Sequence, residues 1–388
     1  MTEENKLLAE KKGRMADTMQ RKSGVVPNMI HNHMATIPWA GKRAVDVLDK
    51  PEEYVEYLLK VFGEMWCDGS IQCGNPISGT LRLEAAIEDP INRFGPDGTT
   101  PEHLQRSCME PDEYDLMMKS PTAFLKNVIL PRAHSAIFEN REKGKEILKV
   151  FAEEKFYMMA VLPGMIEQKL SEDYGIPTMT DMAENFQSPL DVIFDYFRGF
   201  QGTFADIRRQ KDKVKDSLEA IWEDLCMPIM NRPYTLTDRW APQMPHIPAY
   251  LNPKQFAELY WPYEEKQLMR IADAGGKAYI ILEGRWKHIW EHFLDIPKDC
   301  CVLHWDDDDF METYDALGSH QFVIGGLRTA DIRLKEYGPV KEELKKVLDK
   351  CAPEGGLLLC TDKSWITPGD VNQNLIDLYN FAHEYTTK

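Results

Sequence analysis

Eight short apolar runs alternate with helical segments along most of the chain, and this alternation is the feature that most constrains the fold. Each run is too short for a helix and rich in Val, Ile, Leu or Met, as expected of strands buried on both faces. Parallel neighbours need crossover helices, so the pattern predicts a parallel α/β sheet. Eight strands match a closed (β/α)8 TIM barrel, with an open doubly wound sheet as the rival. The predicted strands are Val25–Ile30, Ser70–Cys73, Ile176–Met182, Met244–Tyr250, Ala278–Glu283, Cys301–Asp306, Gln321–Leu327 and Leu357–Asp362.

Two parts of the chain lie outside this alternation. Residues 1–23 predict an amphipathic helical extension without an obvious partner. Residues from about 77 to 174 show helical periodicity and few strand signals, and their ends lack a Pro/Gly/Ser-rich linker. We interpret them as a helical insertion after strand two, within a barrel that spans residues 24–388. The first run is not followed by Gly-x-Gly-x-x-Gly, which argues against a dinucleotide-binding sheet.

The composition excludes several classes of partner. The chain has 46 Lys and Arg against 63 Asp and Glu, a net charge of −17, which would repel nucleic acid and anionic membranes. The sequence has no apolar run near the roughly 18–20 residues that cross a bilayer, and its charged beginning lacks the apolar middle of a secretory signal. Eight cysteines without a Cys-x-x-Cys pair indicate reduced thiols. These features predict a cytoplasmic protein that acts on a small molecule.

The active site of such a barrel lies at the carboxyl ends of its strands, so the polar residues that end each run are candidates. Strand one ends in His31-Asn-His33, and residues two apart on a strand point to the same side. A single strand-end carboxylate is more often the N-cap of the next helix, but the convergence of many titratable groups favours acid–base chemistry. The predicted catalytic residues are His31, His33, Asp68, Asp181, His246 (placed within strand four) and Asp306, and Glu184 and Asp362 are predicted to bind substrate.

Three further strand ends offer metal ligands. Glu283, His304 and Cys360 supply one oxygen, one nitrogen and one sulfur, a mixture that zinc accepts while it keeps a fourth position open. A metal with an open position could bind and deprotonate a thiol or hydroxyl at neutral pH. The sequence therefore predicts a zinc site at these residues as one hypothesis.

Five segments in the second half of the chain carry a resemblance to a known family. They are Pro253-Lys-Gln-Phe-Ala-Glu-Leu-Tyr-Trp-Pro262, Ala278-Tyr-Ile-Ile-Leu-Glu-Gly284, Cys301-Val-Leu-His-Trp-Asp306, Val323-Ile-Gly-Gly-Leu327 and Ile366-Thr-Pro-Gly-Asp-Val-Asn-Gln-Asn374. Together they are similar to the uroporphyrinogen decarboxylase superfamily, and the resemblance covers about residues 20–388 and is strongest from 176 onward. It implies a (β/α)8 barrel and one of two activities: decarboxylation of uroporphyrinogen without a cofactor, or methyl transfer to or from a corrinoid protein.

Departures from the family pattern favour the second activity. True decarboxylases carry an arginine-containing segment after strand one, but here that region has no arginine until Arg43. The family's histidine near strand eight is replaced by Ser364, and its serine of strand four by His246. The zinc-binding methyltransferases of the family hold the metal at positions that correspond here to Ile281, Glu283 and Ser364, so their thiolate ligands are not kept.

The leading hypothesis is therefore a methyltransferase that moves a methyl group between a small methylated substrate and a corrinoid on a partner protein. The alternative is a cofactor-independent decarboxylase of a uroporphyrinogen-like or other carboxylate, which Arg285 or Arg328 would grip. A third hypothesis is a barrel that binds a tetrapyrrole without catalysis. The sequence leaves the oligomeric state open, with a homodimer as one option.

Overall fold

The computed structural model describes residues 3–74, 81–87, 92–104, 106–235 and 238–387. These residues form a mixed α/β structure with nine strands in the described ranges. The strands are β1 (Met29–Asn32), β2 (Gly69–Cys73), β3 (Asn92–Phe94), β4 (Pro101–His103), β5 (Trp240–Gln243), β6 (Lys277–Ile281), β7 (Cys301–His304), β8 (Phe322–Leu327) and β9 (Leu357–Thr361).

Helices surround the strands and fill the long segment between β2 and β5. In its first half the described chain has α1 (Glu3–Met19), α2 (Thr36–Trp39), α3 (Ala44–Val47), α4 (Pro51–Leu59), α5 (Leu81–Ala86), α6 (Tyr114–Met117), α7 (Pro121–Phe124), α8 (Leu130–Ala133), α9 (Ser135–Glu139), α10 (Arg141–Phe156) and α11 (Leu162–Tyr174). In its second half it has α12 (Pro189–Val192), α13 (Gly199–Arg209), α14 (Lys211–Ile221), α15 (Met227–Met230), α16 (Pro253–Leu259), α17 (Trp261–Asp273), α18 (Phe310–Leu317), α19 (Thr329–Leu334), α20 (Tyr337–Glu354) and α21 (Gln373–Thr386).

Parallel pairing links the strands of the predicted α/β sheet. Strands β5 to β9 pair in sequence order, and β1 pairs with β2, all in parallel. Isolated parallel bridges continue these ladders, from Asn28 to Leu359, from Ser70 to Thr178 and from Thr180 to Trp240. Followed from β1 through β2, residues 178–180 and β5–β9, the pairings return to β1. The prediction of a parallel sheet with crossover helices is confirmed.

The two faces of these strands belong to different clusters. On β6, Tyr279 and Ile281 pack with the side chains that the strands enclose, whereas Ala278 and Ile280 pack with the surrounding helices. This alternation of period two is what a strand buried on both faces requires. The enclosed cluster is mainly apolar and comprises Met15, Met29, Ile71, Trp240, Tyr279, Val302, Phe322, Ile324, Leu358 and Cys360.

Helix α1 closes the amino ends of the strands. Its Met15 belongs to the enclosed cluster, and its Lys11 donates to the carbonyl of Tyr174 at 2.8 Å. Arg14 Nε lies 2.7 Å from Asp68 Oδ1, just before β2 begins. A partner that is not obvious from the sequence is therefore present, because the helix packs on the strands and forms a buried ion pair.

Two predicted elements differ from the structure. The strand predicted at Met244–Tyr250 lies earlier in the chain, as β5 (Trp240–Gln243). Pro245 and Pro248 have no N–H donor, and a 3-10 turn forms at Pro248–Tyr250. The predicted helical insertion also contains an unpredicted antiparallel pair, β3 with β4. Its proposed start at residue 77 lies outside the described residues. None of the helices in the described ranges is long and apolar enough to cross a membrane.

Candidate active site

The carboxyl ends of the parallel strands bring together most of the predicted site residues. His31 lies on β1, with His33 just after it, and His304 ends β7, with Asp306 two residues later. Glu283 follows β6 by two residues. His246 follows β5 by three residues, so its predicted place within a strand is wrong.

Asp68 does not belong to this group. It precedes β2 instead of ending it, so it lies at the amino ends of the strands. Its buried carboxylate accepts hydrogen bonds from Arg14 Nε, the backbone N–H of Asn28 at 2.8 Å and Trp66 Nε1 at 3.1 Å. The catalytic role predicted for Asp68 is corrected to a structural one, because the strand begins one residue after it.

Three histidines form the buried floor of the carboxyl-end site. The ring centroids of His31 and His304 are 5.1 Å apart, and those of His31 and His33 are 6.3 Å apart. All three side chains are buried. Burial, with the nearby His304 and His33, lowers the pKa of His31 well below its ordinary value although Gln72 hydrogen-bonds to it. His31 is therefore neutral at physiological pH.

Hydrogen bonds fix the tautomer of His304. Its Nε2 lies 2.8 Å from the carbonyl oxygen of Thr361, so this nitrogen carries the proton. Its Nδ1 consequently accepts from the Tyr279 hydroxyl, 2.5 Å away. Burial lowers the pKa of His304 to about 4, against smaller opposing contributions from the Thr361 carbonyl and Asp362. His304 is a neutral, fully engaged imidazole.

His246 has the opposite protonation at the solvent-facing side of the site. Its Nδ1 lies 2.9 Å from Asp195 Oδ2, and its side chain is 37% exposed. Burial alone would lower its pKa, but the hydrogen bond and charge of Asp195, with the charges of Glu283 and Asp191, raise it to about 9. His246 is therefore an imidazolium at neutral pH, with Nε2 as the ring nitrogen that Asp195 does not engage.

Glu283 and Asp306 complete this charged group. Desolvation raises the pKa of Glu283, with further contributions from Asp306 and Asp195, and the charges of His246 and Lys363 oppose the shift. Asp306 accepts from the backbone N–H of Gly284 at 2.8 Å, and Lys363 Nζ lies 3.3 Å from its other oxygen. Burial also raises the pKa of Asp306. Raised carboxyl pKa values beside an imidazolium are typical of sites that exchange protons.

Three of the predicted site residues, Asp181, Glu184 and Asp362, make contacts that stabilise the fold. Asp181 caps the short turn Met182–Glu184 by accepting from Ala183 N–H at 2.9 Å. Glu184 is buried against Arg270, 2.9 Å away. Asp362 accepts from the N–H and hydroxyl of Thr329 at the start of α19. These are the N-cap and ion-pair roles that strand-end carboxylates commonly have.

The two arginines predicted to grip a carboxylate share one acidic partner. Arg285 Nε lies 3.1 Å from Asp307, and Arg328 lies 3.8 Å from the same carboxylate and donates to the carbonyl of Asp308. Arg285 and Asp307 border an open cavity of about 430 Å³ together with Lys287, His288, Asp308 and Asp309. One carboxylate thus engages both guanidinium groups at this end of the strands.

The proposed metal ligands are not brought together. His304 has both ring nitrogens engaged, and Cys360 lies in the enclosed cluster, where it donates to the Met29 carbonyl and burial raises its pKa to about 12. Glu283 lies outside that cluster, two residues after β6 ends. Within the described ranges, His, Cys, Asp and Glu side chains form no group of three able to hold a metal ion. The residues present do not fit the zinc hypothesis.

Four residues of the site were missed by sequence reasoning: Asp191, Asp195, Tyr279 and Lys363. Asp195 lies in a helical segment 51 positions before His246, and no local pattern connects the two. Tyr279 had a usable signal, because residues 279 and 281 alternate to one face of β6, Glu283 follows two residues later, and β6 pairs directly with β7.

Comparison with solved structures shows a likeness that extends over the full length of the chain. A methyltransferase from Methanosarcina mazei superposes with a TM-score of 0.60 at 11% sequence identity, over 97% of this chain and 99% of that chain. No family model and no curated protein sequence matches the chain. At this identity the likeness extends to the fold alone.

Proposed function

We propose that the chain is a methyltransferase on a (β/α)8 barrel, which moves a methyl group between a small methylated compound and a corrinoid held by a partner protein. The end-to-end fold likeness to a methyltransferase supports this proposal. The eight-membered succession of parallel pairings, which returns to β1, supports the barrel. The sequence resemblance supports the corrinoid.

The observation that carries the proposal is the imidazolium of His246, held by Asp195 beside Glu283. Removal of a methyl group from oxygen, nitrogen or sulfur leaves an electron pair on that atom. A proton donor or cation placed at the atom stabilises the developing charge, and general acid catalysis is worth about 10²–10⁴ in rate. His246 is suited to this task, because its Nε2 is free of Asp195 and its side chain reaches solvent.

The remaining site residues have supporting roles in this proposal. Asp195 orients the ring and stabilises its charged form, as the carboxylate of a catalytic triad orients its histidine and stabilises the imidazolium that forms there. The neutral His31 and His304 form a buried floor that a methyl group can approach without meeting a cation. Lys363 balances Asp306 and leaves Glu283 as the carboxyl that responds to a bound substrate.

The corrinoid would be a substrate delivered by its carrier, and its cobalt centre would supply the nucleophile or the methyl donor. The chain's net charge of −17 favours a carrier with a basic face, because complementary charge speeds encounter. The alternative decarboxylase is less well supported, since Asp307 already engages both arginines that would grip a carboxylate.

A spectroscopic assay tests the proposal. Purified protein is mixed with cob(I)alamin and, in turn, methanol, methylamines, methyl thioethers and aromatic methyl ethers, and the absorbance of the corrinoid is followed. We expect at least one donor to give the spectrum of methylcobalamin. His246→Gln should slow the change about 10²-fold, whereas His320→Gln, a histidine in the turn before β8 that bonds the Ile296 carbonyl, should not. No change with any donor, or release of CO₂ from a carboxylate instead, would contradict the proposal.

A further inference from the structure

One helical segment holds His246 at two points. Asp195, near the middle of residues 189–198, binds the imidazole ring at 2.9 Å. Asp191, four residues earlier, binds the backbone of the same loop: its Oδ1 accepts from the N–H of His246 at 3.2 Å and of Ile247 at 3.0 Å. The loop after β5 is thereby tied to the helix at both the main chain and the side chain.

Asp191 is itself held from a third element. Its Oδ2 accepts from the Tyr260 hydroxyl at 2.7 Å, between α16 and α17. Asp191 is 1% exposed and Tyr260 is 1% exposed, so solvent does not compete for these bonds. A carboxylate with three directed donors and no exposure has one orientation.

The charges that face this carboxylate come from every side of it. Asp195 lies on its own segment, Glu264 and Tyr260 face it from the helical pair α16–α17, and His246 faces it from the loop. Burial, with the charge of Asp195, raises the pKa of Asp191 to about 7, and the bonds from Tyr260 and Ile247 oppose the shift. Asp191 therefore changes charge near neutral pH while His246, which also faces Asp195 and Glu283, stays protonated.

We propose that Asp191 is the positioning residue of this site: it fixes the direction of His246 by holding the two backbone amides at its base, while Asp195 holds the ring. Asp191 touches no solvent-facing part of the site and acts through His246. This inference rests on the proposed function, which gives the reason for holding His246 in one direction. The hydrogen bonds that support it and the titration that tests it require no substrate.

The test is an NMR titration of the imidazole of His246 in histidine-labelled protein, with the signal assigned by its loss in His246→Gln. In the wild type we expect a main inflection near pH 9 and a second, smaller one near pH 7 as Asp191 ionises. Asp191→Asn should remove the second inflection and lower the pKa of His246 by about 1 unit, because a nearby opposite charge is lost. Asp191→Ala should lower it further, since the loop also loses its anchor.

Two other variants keep the test decisive. Asp370 is a matched control, because its buried carboxylate also accepts two consecutive backbone N–H groups, those of Ile366 and Thr367. Asp370→Asn should lower stability without moving the titration of His246. Tyr260→Phe retains the carboxylate, so it serves if the Asp191 variants do not fold. It should move the smaller inflection to higher pH, because its hydroxyl stabilises the ionised form.

The outcomes separate this inference from the proposed function. An unchanged titration of His246 in the Asp191 variants and in Tyr260→Phe, or an equal change in Asp370→Asn, would overturn the positioning role whatever the activity. The expected shifts together with no methyl transfer from any donor would leave the positioning role standing and overturn the function alone.

Discussion

The two ends of the parallel strands use the same kind of ion pair for different purposes. At the amino ends, Asp68 is fully buried, accepts from Arg14, Asn28 and Trp66, and is covered by α1. At the carboxyl ends, Asp195 and Glu283 face one imidazolium that solvent can reach. Asp68 stabilises the fold, because its carboxylate is fully hydrogen-bonded and shielded from solvent. Glu283 instead has a raised pKa beside this imidazolium, so its charge can respond to a ligand.

A second contrast lies within the carboxyl end itself. His304 and His246 follow strands of the same sheet, yet burial lowers the pKa of the first to about 4 and Asp195 raises that of the second to about 9. The partner decides the difference: His304 faces a tyrosine hydroxyl and a carbonyl, and His246 faces carboxylates. Burial without these partners would lower the pKa of both histidines.

The largest expected effect concerns the amino end. Arg14→Leu leaves the buried carboxylate of Asp68 without its cation, which should lower the free energy of unfolding by about 3–5 kcal/mol in urea denaturation. Methyl transfer per folded molecule should be unchanged. Lys22→Leu, which breaks the exposed pair with Asp17, is the control and should cost little. A stable Arg14→Leu protein, or one that folds but is inactive, would break the distinction between the two ends.

At the carboxyl end, Asp195→Asn keeps the shape of the hydrogen-bond partner but removes its charge. We expect the pKa of His246 to fall toward its ordinary value of 6.5 and the methyl-transfer rate at pH 7.5 to fall about 10-fold, because only about a tenth of the imidazole is then protonated. Asp224→Asn, which removes a charge that caps Thr122 in the helical segment, should leave the rate unchanged. Equal rates in wild type and Asp195→Asn would show that the charge on His246 is not used.

Tyr279→Phe sharpens the contrast between the two histidines. It leaves Nδ1 of the buried His304 without a donor, which should lower the free energy of unfolding by about 1–3 kcal/mol. Tyr385→Phe, an exposed tyrosine bound to Asp349, is the matched control and should have little effect. The NMR titration of His246 should be the same in both variants. A shift in that titration with Tyr279→Phe would mean that the buried histidines and the solvent-facing His246 are electrostatically coupled.

The pH dependence of stability should have opposite slopes from the two histidines. The folded-state pKa of His304, about 4, is below 6.5, so its contribution is present above pH 6.5 and lost as the pH falls toward 4, with a slope of up to about 1.4 kcal/mol per pH unit. The folded-state pKa of His246, about 9, is above 6.5. The contribution of His246 to the free energy of unfolding is therefore present below pH 6.5 and lost as the pH rises through 9. The free energy of unfolding, measured by urea denaturation between pH 4.5 and 9.5, should therefore vary with pH differently in wild type and in His246→Gln only above about pH 6.5. Parallel curves would contradict the raised pKa of His246.

Much of the fold follows from local apolar patterns. Strands β6 to β9 begin within one residue and end within two residues of their predicted bounds, because buried runs such as Cys301–Leu303 bear no polar residue. β5 was misplaced because its Trp240-Ala-Pro-Gln243 is shorter and less apolar than the following segment. The predicted strand Ile176–Met182 covers residues 178–180, which pair in parallel with both neighbouring strands but only through isolated bridges.

The site was less predictable because its contacts are distant in sequence. Residues that end strands, such as His31, Glu283 and His304, follow from the rule that sites lie at carboxyl ends. Asp195 and Asp191 lie on a helix, and their partnership with His246 depends on how that helix packs. Asp68 shows the opposite error, since it precedes β2 instead of ending it and therefore lies at the amino ends of the strands.

The pH profile of single-turnover methyl transfer to cob(I)alamin addresses the role of a charged His246 most directly. With a donor that the wild type accepts, the rate should hold through neutral pH and decline as His246 loses its proton near pH 9. In Asp195→Asn the decline should begin at a lower pH. A wild-type rate that stays constant from pH 7 to 10.5 would contradict the claim that this imidazolium assists the departure of the methyl group.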